Sequence, residues 1–139
     1  MTFGEINKVE ERLGIKLPDA YKAYQLSYPK ELTQLGFNRE YLTDDAEYLF
    51  EMNDMLRKGG LPTEYLAIGN DVGGNYFFIK IGNTDSSVYY FDHEEVSERE
   101  DGAEISWEEV LTMKSNNLNE FGEWLIDYWG GTELYTKNQ

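Results

Sequence analysis

Cysteine is missing from this chain of 139 residues, and histidine occurs once. Without a thiol there is no disulfide framework, no thiolate zinc site and no cysteine nucleophile, a composition that fits a reducing compartment. The lone imidazole, His93, stands in Asp92-His93-Glu94-Glu95 at the end of a strand-like run. A histidine flanked by carboxylates there is ordinarily a solvated or hydrogen-bonded turn residue, not the oriented base of a triad. Gly-x-Ser-x-Gly, His-Glu-x-x-His and the calcium-loop pattern are all absent. No basic-then-apolar leader opens the chain, and nowhere do about 18 apolar residues run together. The expectation is a soluble cytoplasmic protein with no cofactor and no metal.

Basic residues are the other shortage: 12 stand against 27 acidic ones, for a formal net charge of -15. Such a surface repels nucleic-acid phosphates and anionic lipid, and basic patches interleaved with aromatics are missing. The same field attracts a basic partner, although acidity also serves solubility alone. Two carboxylates suffice for glycoside cleavage, but with 27 acids to choose from the sequence singles out no pair. The chain is therefore read as non-enzymatic.

What is present is concentrated between Leu66 and Glu95. Tyr65 to Ile68, Tyr76 to Ile81 and Val88 to Phe91 are apolar, aromatic and β-branched runs. They are separated by Gly69-Asn-Asp-Val-Gly-Gly74 and Gly82-Asn-Thr-Asp-Ser86, which predicts an antiparallel meander. The first glycine turn is not a phosphate cradle, because no Gly-Lys-Ser/Thr follows and a strand comes next instead of a helix N-terminus. It reads as a tight turn in which Asp71 and Asn75 satisfy local amides. Tyrosines at 76, 89 and 90 in part face outward or pack across strands.

Helices flank this centre. Thr2 with Glu5 is a capping-box pattern, followed by Ile6, Val9 and Leu13 at helical spacing and a stop at Gly14. Pro18-Asp19 opens a second helix carrying Tyr21, Tyr24 and Tyr28, ended by Pro29. Residues 30 to 43 are expected to be a loop with a short irregular element, anchored by Leu32, Leu35, Phe37, Tyr41 and Leu42. Asp44 with Glu47 caps a third helix with a Leu49, Met52, Leu56 stripe, closed by Gly59-Gly60. Beyond Phe91 the chain turns strongly acidic, and Glu104 to Trp107 adds a strand or Ser106 with Glu109 opens a short helix. Asn117 with Glu120 opens the last helix, whose buried side is read as Leu118, Phe121, Leu125 and Tyr128, widened by Trp124 and Trp129. The order of elements predicts one α+β domain over 1–139, an antiparallel β-meander sheet flanked by N-terminal and C-terminal helices. A doubly wound parallel fold is disfavoured because strands do not alternate with helices.

Three segments also resemble a known family. They are Glu11-Arg-Leu-Gly-Ile-Lys-Leu-Pro-Asp-Ala-Tyr21, Ala67-Ile-Gly-Asn-Asp-Val-Gly-Gly-Asn-Tyr-Phe77 with Val88-Tyr-Tyr-Phe-Asp-His-Glu94, and Asn119-Glu-Phe-Gly-Glu-Trp-Leu125. Together they look like the SUKH superfamily, in its branch related to the fungal cell-wall-synthesis regulator. The chain departs from that pattern at Ser27-Tyr-Pro-Lys-Glu31, where members commonly have an Asn-Gly turn. The resemblance implies an α+β fold and, in bacterial members, an immunity protein that blocks a toxin, often a nuclease; fungal relatives imply a regulatory or adaptor role instead. Joined to the charge, it suggests a protein partner with a basic toxin domain encoded nearby, and neither nucleic acid nor membrane. The expected contact is a rim of Asp92, Glu94, Glu95, Glu98, Glu100 and Asp101, with Asp71 and Asn75 adjoining. The same acidic run also reads as a solvated loop.

Overall fold

A computed structural model describes residues 1–36, 40–71, 73–82, 87–91 and 111–130. The first helix, α1 (Phe3–Leu13), forms because both halves of the predicted box engage: Glu5 N–H donates to Thr2 Oγ1 at 3.2 Å and Thr2 N–H to Glu5 Oε1 at 2.9 Å. Gly14 ends it in the left-handed region at φ 68°. Ile6 and Val9 turn inward. Glu10 then reaches forward to accept the Leu17 N–H at 2.8 Å, fixing the link into α2 (Asp19–Leu26).

That second helix stops at Leu26, before the proline expected to end it, and Pro29 instead caps a one-turn helix, α3 (Lys30–Gln34). It lies where the 30–43 loop is expected to hold a short irregular element, and it is a regular helical turn instead. Leu32 and Leu42 are fully buried and Leu35 and Tyr41 partly so, while Phe37 lies outside the described residues. The cap of α4 (Ala46–Lys58) is Asp45, accepting from Tyr48 N–H at 3.1 Å, one residue later than the spacing predicts. Thr43 Oγ1 takes the Asp45 N–H and so competes for the neighbouring position. Leu49, Met52 and Asn53 form the buried side of α4.

The sheet among the described residues has four antiparallel strands in sequence order: β1 (Tyr65–Asn70), β2 (Tyr76–Lys80), β3 (Val88–Phe91) and β4 (Leu111–Ser115). The three-strand meander is as expected, but β1 runs through Gly69 to Asn70 instead of breaking at Ile68. The cause is a close approach: a Cβ at Gly69 would fall onto the carbonyl oxygens of Tyr41 and Glu40. The strand β4 had no counterpart in the sequence reading. Glu104 to Trp107, for which the sequence allows a strand or a short helix opening at Ser106, lies outside the described residues.

An edge strand exposes unpaired amides unless something covers it. The outer edge of β1 is covered twice. Thr43 N–H donates to Ile68 O and Asn70 N–H to Glu40 O, each at 3.0 Å. The buried Asn53 side chain from α4 accepts from Ala67 N–H at 2.8 Å and donates to Ala67 O at 2.9 Å, acting as one more rung of ladder.

The two sheet faces are both aromatic. On one, Phe77 meets Phe121 of the last helix, α5 (Leu118–Gly130), at 4.9 Å between ring centres. Leu118, Phe121 and Leu125 bury that side of α5, and each such side chain contributes about 1.5–3 kcal/mol of apolar burial. Asn117 Oδ1 caps α5 through Glu120 N–H at 2.9 Å, as predicted. On the opposite face Phe78 packs against Tyr65 and Phe91. Helices and antiparallel sheet share one core, so the molecule is an α+β domain. Among the described residues no helix is long and apolar enough to cross a membrane.

Candidate functional site

The turn joining β1 to β2 is built around Asp71. Its Oδ1 accepts from Gly73 N–H at 2.9 Å and Asn75 N–H at 3.0 Å, and its Oδ2 from Asn75 Nδ2 at 3.1 Å and the Tyr90 hydroxyl at 3.2 Å. Asp71 N–H in turn donates to Asn75 O at 2.9 Å, and Gly74 takes φ 85° to close the loop. Asp71 satisfies local amides with its side chain as expected, whereas Asn75 accepts the Asp71 N–H through its backbone carbonyl and turns its carboxamide to the Asp71 carboxylate as a donor. The carboxylate does more than that, since it also fixes a tyrosine from β3. All four donors are neutral, so the hydrogen bonds satisfy the lone pairs without cancelling the charge.

Beside this turn, between the sheet and α5, lies a cleft of about 350 Å³. Among the described residues it is lined by Tyr41, Asp71, Phe77, Tyr90, Lys114, Trp124 and Tyr128. Phe77 is its floor, in ring contact with Tyr41 at 5.9 Å and Tyr90 at 5.2 Å. One wall is Trp124 and Tyr128 of α5, stacked at 5.7 Å and 24°, with the buried Phe121 ring continuing the stack behind Trp124 at 6.0 Å and 18°. The helical spacing of three and four residues sets these rings one above another. From β4, Lys114 lays its ammonium 4.0 Å from the centre of the Trp124 ring. A second cleft of about 360 Å³ between α2 and the start of α5 has no charged lining among the described residues, so it offers nothing comparable.

The sequence placed Tyr128 on the buried side of α5, whereas it is 58% exposed at the mouth of the cleft. Tyr128 stacks on Trp124 with its ring open at the mouth of the cleft, so the helical spacing that places it with Leu125 does not carry it into the core. Lys114 was missed with its strand. Leu111-Thr-Met-Lys-Ser115 alternates only through Leu111 and Met113 and holds one β-branched residue, too short a pattern to mark a strand, and its three central residues are exposed. Of the predicted contact residues, Asp71 lines the cleft and Asn75 holds it in place. Asp92, Glu94, Glu95, Glu98, Glu100 and Asp101 lie outside the described residues, as does His93. Among the described residues no three or more His, Cys, Asp or Glu side chains are grouped to hold a metal ion.

A helix-flanked antiparallel meander carrying a cleft lined by aromatic rings, one acid and one base defines an α+β protein whose open concavity suits recognition of another molecule. The particular family follows from comparison: the chain belongs to the SMI1 / KNR4 family (SUKH-1), which it matches over residues 1–127. Membership fits an immunity-protein or a regulatory role, and proteins of this superfamily generally act by binding protein partners. No curated protein and no solved structure matches the chain.

Proposed function

We propose that the chain is a non-catalytic immunity protein that binds and neutralises a basic toxin domain of the nuclease class encoded nearby, and does so in the cytoplasm. The observation that carries this reading is an aromatic cleft with a carboxylate bonded by neutral donors in its wall, on a family member whose net charge is -15. A nuclease presents lysine and arginine to phosphates, so an acidic surface can occupy the same groups. Long-range attraction hastens encounter, and desolvated aromatics at the centre slow release. The rim acids Asp92, Glu94, Glu95, Glu98, Glu100 and Asp101 supply the attraction in this reading, with Asp71 and Asn75 adjoining.

The test is co-expression with the toxin domain encoded beside this chain. Rescue of growth is expected, and it is expected to fall sharply when the six rim acids are reversed together to lysine. One exposed charge contributes only about 0.2–1 kcal/mol, so single reversals leave rescue nearly intact. Rescue that survives the combined reversal removes the rim from the contact, and no rescue by the native chain overturns immunity.

A further inference from the structure

The aromatic cleft holds a cation already, and that cation is the protein's own. Lys114 is exposed on β4, yet its ammonium lies over the Trp124 face at 4.0 Å. That face therefore accepts positive charge in the geometry the fold provides. Behind it the rings of Phe121, Trp124 and Tyr128 run nearly parallel, at 18° and 24° between successive planes. A compact ammonium uses only the potential of such a stack. A planar, weakly hydrated guanidinium also extends the stacking. Across the cleft the Asp71 carboxylate accepts from two amide N–H groups, one carboxamide and one phenol, all neutral donors.

We propose that this cleft seats one arginine side chain of the protein partner, whose guanidinium replaces Lys114 on the Trp124 face and is held there by the field of Asp71. The inference rests on the binding-module reading above and names the group that module grips. Charge decides among the alternatives. An anionic group entering the cleft can pair with Lys114 but is opposed by Asp71 and by a net charge of -15, and a neutral aromatic gains nothing from that field. An incoming lysine merely exchanges one ammonium for another. Arginine gains the stacking and carries the sign the whole surface selects. Lys114 is then a resident competitor, which keeps the ring face covered in the free protein and is released to water when the guanidinium arrives.

The experiment uses the full chain and three peptides, N-acetyl-Gly-Arg-Gly-amide with its lysine and citrulline counterparts, titrated into isotopically labelled protein and followed by NMR. Citrulline has the shape of arginine without the charge. The arginine peptide is expected to produce saturable shifts at the Trp124 indole N–H and at the amides of Gly73 and Lys114, with weaker effects from lysine and none from citrulline. Because Trp124 is half buried, the variants are placed at exposed positions. Lys114→Ala removes the competitor and is expected to tighten arginine binding about two- to fivefold, while Tyr128→Ala loosens it by a similar factor. Shifts of equal size from citrulline, shifts located away from the cleft, or unchanged affinity in Lys114→Ala would each overturn the assignment. The readout needs no toxin. Toxin rescue that persists while the arginine peptide fails to bind sinks this inference and leaves the immunity reading standing, and arginine binding without rescue does the reverse.

Discussion

Gly69 is the residue at which sequence and packing are most tightly tied. It sits inside β1 at the register shift between Ala67 and Gly69, and the loop carrying Glu40 and Tyr41 crosses directly above it. Backbone carbonyls, unlike a flexible side-chain end, cannot swing aside. Gly69→Ala therefore pushes the 40–43 segment off the edge of β1, taking with it the pairings Thr43 N–H to Ile68 O and Asn70 N–H to Glu40 O. The expected cost is about 3 kcal/mol or more, at the upper end of overpacking, read as a lowered urea midpoint with an unchanged slope. Tyr41 lines the cleft, so the same variant is expected to weaken arginine binding as well. A variant as stable as the native chain would mean that the loop does not press on β1.

Among the elements, α2 has a composition with a measurable consequence. Burial raises the ionisation of Tyr21, of Tyr24 and, just beyond the helix, of Tyr28 above the usual tyrosine value of 10.0, to about 12 for Tyr24. A phenol bound more tightly to its proton when folded contributes stability that is complete below the unfolded value. That stability is lost as pH rises through the folded value. The domain is thus expected to unfold between about pH 10 and 12, with tyrosinate absorbance and loss of helical circular dichroism appearing together. Tyr24 tests the assignment cleanly, because its hydroxyl is buried with no hydrogen-bond partner among the described residues. Tyr24→Phe should be neutral or stabilising by up to about 1 kcal/mol near neutrality and should move the alkaline midpoint upward. A midpoint that stays in place would show that α2 does not govern the transition. The boundaries of such elements were legible wherever a local interaction sets them: Thr2 with Glu5, Gly14, and Asn117 with Glu120 all act within a single turn. Where tertiary contacts decide, the pattern failed. Gly69 stayed in a strand because a loop lies over it, and β4 formed by pairing with β3 despite its polar, exposed residues, whereas the one-residue shift of the cap from Asp44 to Asp45 accompanies a local bond, Asp45 N–H to Thr43 Oγ1. The cleft was half legible for the same reason. Asp71 stood out in a turn motif, but Lys114 and the Trp124–Tyr128 stack meet it only once β4 and α5 pack beside the turn.

For the whole molecule, a net charge of -15 acts on folding and on association with opposite signs. In the free chain like charges repel one another, which destabilises the compact state, and salt relieves the repulsion. At about 0.1 M ionic strength the screening length is already about 10 Å, so most of the gain comes early. Raising NaCl from about 0.02 to about 0.5 M is expected to lift the melting temperature by a few degrees, since about 1 kcal/mol corresponds to roughly 4 °C in a domain of this size. The same salt removes the attraction toward a basic partner. The association rate with the toxin domain is then expected to fall about tenfold or more, while dissociation, governed by the desolvated cleft, changes little. Stopped-flow mixing at the two ionic strengths separates these rates, and a melting scan on the free chain supplies the folding half. A partner gripped by apolar contact alone would bind as fast or faster in high salt. An association rate indifferent to salt would therefore remove negative potential from the mechanism even if the melting temperature rose as expected.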